Sequence, residues 1–282
     1  MKLANPTADL YVPDGMPMPE ALSRTTHLCV GAHADDQEYM AFHGIGECFG
    51  RVDKWFTGVV VTNGGGSARS GIYAGYTDDD MIDVRRREQI KAAFVGEYAC
   101  QIQLMHPSSE IKGPDNKGVV ADLKAIFEAA QPEVVYLHNP ADKHDTHVAS
   151  FLRALQAMWA LPIDRRPARV YGCEGWRDLD WLHDPDKAVL PVDEHENIAA
   201  SLAGIFDSQI RGGKRYDTAI AGRRMAHATF FESHATDKTR ALSFAMDLTP
   251  LIADEGLSVA DFTLSLIKNF ETEVVERIGK LS

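Results

Sequence analysis

Short apolar runs alternate along this chain with longer segments in which apolar residues return at helical spacing. Residues 26–31 read as a buried strand, followed by a helix over 37–49 that Gly44 and Gly46 weaken. A Val-rich run at 55–62 predicts a second strand, and Asn63, Gly64, Gly65 and Gly66 close it as a flexible loop. Asp78, Asp79 and Asp80 are acidic cap candidates for a helix over roughly 81–98, where Ile82, Ile90, Ala93 and Phe94 share one face. A strand at 101–105, an amphipathic helix at 119–130 halted by Pro132, and a strand at 134–137 ending in His138, Asn139 and Pro140 continue the series. Beyond them the pattern predicts a helix over 146–159, a strand near 169–173 and two helical stretches between 194 and 225.

Strand alternating with helix predicts an α/β chain whose parallel sheet is covered on both faces. The last third reads as mostly helical, and the part from about residue 225 could cap the domain or support contact in a homo-oligomer. At 282 residues one large domain spanning 1–282 is expected.

The composition, 45% hydrophobic and 25% charged, excludes disordered, collagen-like and disulfide-scaffold classes. A formal net charge of −12 repels phosphate backbones and anionic lipid, so neither nucleic acid nor a membrane is the expected partner. Cys29, Cys48, Cys100 and Cys173 form no C-x-x-C pair, the N-terminus lacks a signal-peptide pattern, and no apolar run approaches 18 residues. A cytoplasmic location is expected.

In parallel sheets ligands bind beyond the carboxyl ends of the strands, which directs attention to two polar clusters. The first follows the first strand and contains His33, Asp35, Asp36 and Glu38; the second follows the 134–137 strand and contains His138, Asp142, His144, Asp145 and His147. A mononuclear catalytic zinc takes three protein ligands and keeps one position for water. His33, Asp36 and His147 could supply the three, leaving Asp35 free as general base. His144 and His147, three apart at a helix start, share a face, so one could serve the metal and the other the substrate carbonyl. Taken singly, an Asp-Asp pair or an H-x-x-H spacing is more often a solvated loop or cap.

The stretch A-H-A-D-D-Q-E at 32–38 resembles the A-H-P-D-D-E motif of the PIG-L (LmbE-like) metal-dependent deacetylases, and H-D-T-H-V-A at 144–149 resembles their H-P-D-H-x-A motif. The T-N-G loop at 62–64 and the R-x-x-E of Arg85 and Glu88, followed by Ala92 and Ala93, fall in the same order. The resemblance covers residues 25–150, with a further family-like Ser208-Gln209. It implies a Rossmann-like, mostly parallel α/β fold with helices on both faces and a helical C-terminal extension. The implied reaction is removal of N-acetyl groups from amino sugars or their conjugates, N-acetylglucosamine type preferred, giving acetate and a free amine. It implies His33, Asp36 and His147 as zinc ligands, with Fe2+ or Mn2+ as other metals that suit such a set, and Asp35 as the base. His144 would stabilise the oxyanion or protonate the leaving amine, and Arg85 would contact substrate. Thr146 replaces an aspartate that orients His144 in the family, and Ala34 replaces a proline. Asp142 stands where one branch carries a tyrosine, on the substrate side.

Trp176 and Trp181 follow the 169–173 strand, where an indole could stack on a sugar face, core packing being the ordinary alternative. Arg69 and Tyr73 could reach a ligand from the glycine-rich loop, which lacks nucleotide-binding spacing. Arg211, Lys214, Arg215, Arg223 and Arg224 form a basic cluster that could meet a phosphate or carboxylate, or serve as a solvated helix face. Rival readings are an amidase acting on a larger thiol-sugar conjugate, a non-catalytic sugar- or nucleotide-binding protein, and a metal-dependent phosphoesterase.

Overall fold

The computed structural model describes residues 1–113 and 117–282. Eight strands, β1 (Asp9–Tyr11), β2 (His27–Gly31), β3 (Phe56–Thr62), β4 (Cys100–His106), β5 (Val134–His138), β6 (Arg169–Cys173), β7 (Lys187–Pro191) and β8 (Leu242–Asp247), form one sheet. Their order is β1-β4-β3-β2-β5-β6-β8-β7. The five strands from β4 to β6 run parallel, while β1 joins β4, and β8 joins β6 and β7, antiparallel. The chain leaves β2 toward β3 on one side and β5 toward β6 on the other, so the connections part above the β2–β5 boundary. That opening is where a parallel sheet offers room for a ligand.

Every residue of β2 and β3 is buried, as strands covered on both faces require. Side chains alternate between two cores. Leu28, Val30, Val59, Val61 and Leu137 join Phe127 and Phe151 from the helices Lys117–Ala130 and Asp145–Trp159. Cys29, Phe56 and Tyr136 point to the other face and pack with Phe42, Ile45 and Phe206. All four cysteines are buried free thiols.

Four local expectations change. The 37–49 helix is two short helices, Asp36–Met40 and Phe42–Cys48, parted at Ala41 where φ is −114° and ψ 21°. Asp78, Asp79 and Asp80 are the first turn of the helix Asp78–Val95, and Thr77 is its cap: the Thr77 hydroxyl accepts from the Asp80 amide while the Asp80 carboxylate accepts from the Thr77 amide. β1 and β7 have no counterpart in the apolar pattern. β8 lies within the stretch expected to be mostly helical, because a six-residue apolar run fits either structure until a partner strand decides it.

The terminal helix Val259–Leu281 buries none of its residues, although Val259, Phe262 and Leu266 touch the core. Among the described residues no helix is long and apolar enough to cross a membrane.

Candidate metal centre

The two polar clusters meet at the β2–β5 opening. Asp35 caps the helix Asp36–Met40 with φ +88°, a left-handed conformation that aspartate tolerates better than most side chains. The turn folds Asp36 back, so that Oδ2 accepts the His33 amide at 2.7 Å and lies 3.3 Å from His33 Nδ1. From the next strand, the helix Asp145–Trp159 brings His147 Nε2 to 3.6 Å from Asp36 Oδ1.

Two trios of donors lie within 4.8 Å: His33, Asp36 and His147, and His138, Asp142 and His147. His147 decides between them. Its Nδ1 is 3.3 Å from Asp142 Oδ2, whose side chain is fully buried, while Nε2 faces Asp36. A metal-binding imidazole turns its second nitrogen to a carboxylate in this way. The first trio fits a divalent cation. Neither His147 ring nitrogen makes a hydrogen bond among the described residues, but Nδ1 has the Asp142 carboxylate at 3.3 Å, whereas Nε2 is aimed between Asp36 and His33, an expensive state for a buried ring nitrogen unless something else satisfies it. The 3.3 and 3.6 Å donor separations suit ligands about 2.0–2.2 Å from one four-coordinate ion. His33 and Asp36 keep side-chain exposures of 25% and 12%, which leaves the centre open on the cavity side. Two imidazoles and a carboxylate suit zinc, iron or manganese.

Environment drives the adjacent carboxylates apart. Burial raises the Asp35 carboxyl well above the usual range; Arg85, 3.4 Å away, opposes the rise, and Asp36, Glu38 and Glu88 add to it. Burial acts on Asp36 as well, but His147 and His138 outweigh it and hold that carboxyl well below the usual range. Asp36 is disposed to stay charged, and Asp35 is the member with the greater proton affinity, able to take up a proton and give it back, which is the division that acid–base work needs. Burial alone would depress His147; Asp36 and Asp142 overcome it and raise the imidazole. His138 stacks on His147 with centroids 3.9 Å apart, and burial pushes it down to about 4.

A cavity of about 600 Å³ opens beside the centre. His33, Asp35, Asp36, His144, His147, Arg85 and Trp176 line it, which brings the expected ligands, base, oxyanion partner and substrate arginine together with one of the two candidate tryptophans. Arg85 is only 3% exposed and also donates to the Ala34 carbonyl, which ties it to the turn bearing Asp35. Gly64, at φ +75°, lets the loop after β3 press on the Arg85 side chain; a Cβ there would stand 3.0 Å from Arg85 Cδ. Glu88 accepts from the Ser208 amide at 2.7 Å and its hydroxyl at 2.6 Å, fastening the helix Asp207–Ile210 to the same wall.

Asp142 is the exception. It lies behind His147, away from the cavity, with Oδ1 accepting the His144 amide and Oδ2 the Trp176 amide, each at 2.9 Å. Both oxygens are thus turned to backbone amides and to His147 and not to the cavity, where the sequence reading puts a substrate contact. The signal was its place two residues before a candidate ligand pair, where a carboxylate can reach back to either imidazole. His144, half-buried, stacks on His147 at 4.5 Å, and burial lowers its imidazole, with His147 and His33 adding to the shift. Its Nδ1 is buried without a hydrogen-bond partner among the described residues.

Other candidates fall elsewhere. Trp181 packs against the main core and donates to the Asp178 carbonyl. Arg69 pairs with Asp78, and Tyr73 donates to Asp207 at 2.8 Å, so both brace the loop. Tyr39 and Tyr216, unmarked by any motif, stand on the cavity wall with ring centroids 5.7 Å apart.

Residues 28–158 match the model of the PIG-L family, described as GlcNAc-PI de-N-acetylase. The protein carries a PIG-L domain. No curated protein matches the chain. Around the PIG-L domain the fold is similar to that of solved structures. For the N,N'-diacetylchitobiose deacetylase of Pyrococcus horikoshii the TM-score is 0.62, with 14% identity over 82% of this chain and 86% of that one. The 4-carboxy-2-hydroxymuconate hydratase GalB of Pseudomonas putida gives 0.59, with 18% identity over 79% and 95%. The A40926 pseudoaglycone deacetylase gives 0.58, with 16% identity over 79% and 97%. The PIG-L match covers β2 through nearly all of the helix Asp145–Trp159, the span that supplies every candidate ligand.

Proposed function

We propose that the protein is a metal-dependent N-deacetylase, zinc being the metal expected, that removes the acetyl group from a small amino sugar or amino-sugar conjugate of N-acetylglucosamine type. The observation that carries this reading is the open donor set of His33, Asp36 and His147 with the Asp35 carboxylate, 3.4 Å from Arg85, beside it on one cavity wall. The PIG-L description and the deacetylases among the neighbours of similar fold support it. A bound metal would polarise the amide carbonyl and acidify the attacking water. Asp35 would take the proton of that water and return it to the departing amine, with Arg85 fixing its carboxylate. His144, stacked on His147 and lining the cavity, would donate to the developing oxyanion. Trp176, 40% exposed, offers an indole face to the sugar. Buried, unbridged thiols support a reducing cytoplasm as its location.

The test is acetate and amine release from a panel of N-acetylated amino sugars, with zinc-loaded and chelator-stripped protein compared. Release by the loaded form alone is expected. Because a hydratase shares the fold, metal binding without acetate release from any panel member would overturn the reading.

A further inference from the structure

The carboxylates on the cavity wall are compensated. Asp35 faces Arg85 at 3.4 Å, and Asp36 is surrounded by His33, His138 and His147. Glu174 pairs with His227 at 2.7 Å and accepts the Leu179 and Phe244 amides. The basic cluster of the sequence is divided differently. Arg211 and Arg215 face outward and pair with Asp207 and Asp217, and buried Arg224 donates to the Glu38 and Tyr39 carbonyls. Lys214 and Arg223 line the cavity instead, both half-buried, and neither has a carboxylate within 4.0 Å among the described residues. Lys214 Nζ sits 4.8 Å from the centroid of the Trp176 ring, and Arg223 commits Nη1 to the Gly175 carbonyl at 2.7 Å. The rest of that guanidinium fork remains available.

Two cations with no carboxylate partner among the described residues in a chain of net charge −12, beside an indole whose centroid is 5.7 Å from that of His144, are a complement to negative charge on the wall of the cavity that holds the donor set. We propose that the substrate carries a compact anionic group, a phosphate or a carboxylate, that docks on Lys214 and Arg223 beside Trp176. This rests on the amino-sugar reading and names the substrate class within it. Lys214 is the adaptable point charge, and Arg223, pinned through Gly175, is the oriented partner.

The experiment compares kcat/KM for N-acetylglucosamine, its phosphate esters and an N-acetylated sugar carboxylate, in wild type and in Lys214→Gln and Arg223→Gln. The anionic substrates are expected to exceed the neutral sugar by about tenfold or more, through KM, and the variants to erase at least that advantage. Whichever of the phosphate and carboxylate arms gains more identifies the anion. Equal turnover of charged and neutral sugars, unchanged in both variants, would overturn the subsite while leaving the deacetylase reading intact. If no sugar is turned over, that reading fails, and equilibrium binding of the same panel decides the subsite: anion preference lost in Lys214→Gln supports it, and absence of preference overturns it. Lys214→Gln removes no side-chain hydrogen bond among the described residues, which keeps the test open should Arg223→Gln fold poorly.

Discussion

Replacing Asp142 with asparagine keeps the side chain's shape and removes its charge. In the native arrangement Oδ1 accepts the His144 amide and Oδ2 the Trp176 amide, and Oδ2 also stands 3.3 Å from His147 Nδ1. An asparagine has one oxygen for these positions, so its NH2 group must face a backbone N–H or turn from His147. The side chain is fully buried, and water cannot substitute. Loss of such an orienting partner lowers metal affinity by about 10–100-fold, roughly 1.4–2.7 kcal/mol, and burial argues for the upper part of that range. The unmet amide adds about 1–3 kcal/mol of destabilisation in the metal-free protein. Zinc affinity measured by competition with a chromophoric chelator, beside thermal unfolding in excess chelator, separates the two effects. Asp142→Asn should bind zinc more weakly than wild type yet more tightly than His147→Ala, which removes a ligand. Zinc affinity within twofold of wild type in a folded Asp142→Asn protein would refute the orienting role.

His144→Ala should lower kcat at least about tenfold and leave zinc affinity nearly unchanged; equal turnover would make the imidazole a bystander. Burial depresses His27 from 6.5 to about 4, so its contribution to stability is complete above pH 6.5 and disappears as the pH falls toward 4. The loss at pH 4 is about 3 kcal/mol, and His27→Gln should flatten that part of a denaturation-versus-pH profile, whereas a parallel profile would exclude His27 as the cause. Thr77→Ala should cost about 1 kcal/mol by opening the capping box over Asp80, read as a lower urea midpoint at unchanged slope; an unmoved midpoint would mean that the cap contributes nothing.

The parallel centre of the sheet was readable because β2, β3 and β5 are dense apolar runs, each ending abruptly in polar residues. The antiparallel margins were not. β1 is three residues long, and β8 becomes a strand only through pairing with β6 and β7, information that no local window contains. The ligand trio was legible for the same reason as the sheet, since Asp36 and His147 follow adjacent strands. The direction of Asp142 was not legible, because a loop carboxylate facing outward and one facing back toward His147 have the same spacing. The basic cluster shows the same limit: five cations within fourteen residues look alike until the turn between the helices Asp207–Ile210 and Tyr216–Phe230 brings Lys214, and the second helix brings Arg223, to the cavity.

Turnover set against metal content in Asp35→Asn tests the central claim most directly, because it parts the proton carrier from the ligands beside it. Zinc-loaded Asp35→Asn should keep wild-type metal occupancy and lose at least about 100-fold in acetate release from the best N-acetylated sugar. Near-normal acetate release at full occupancy would contradict the account.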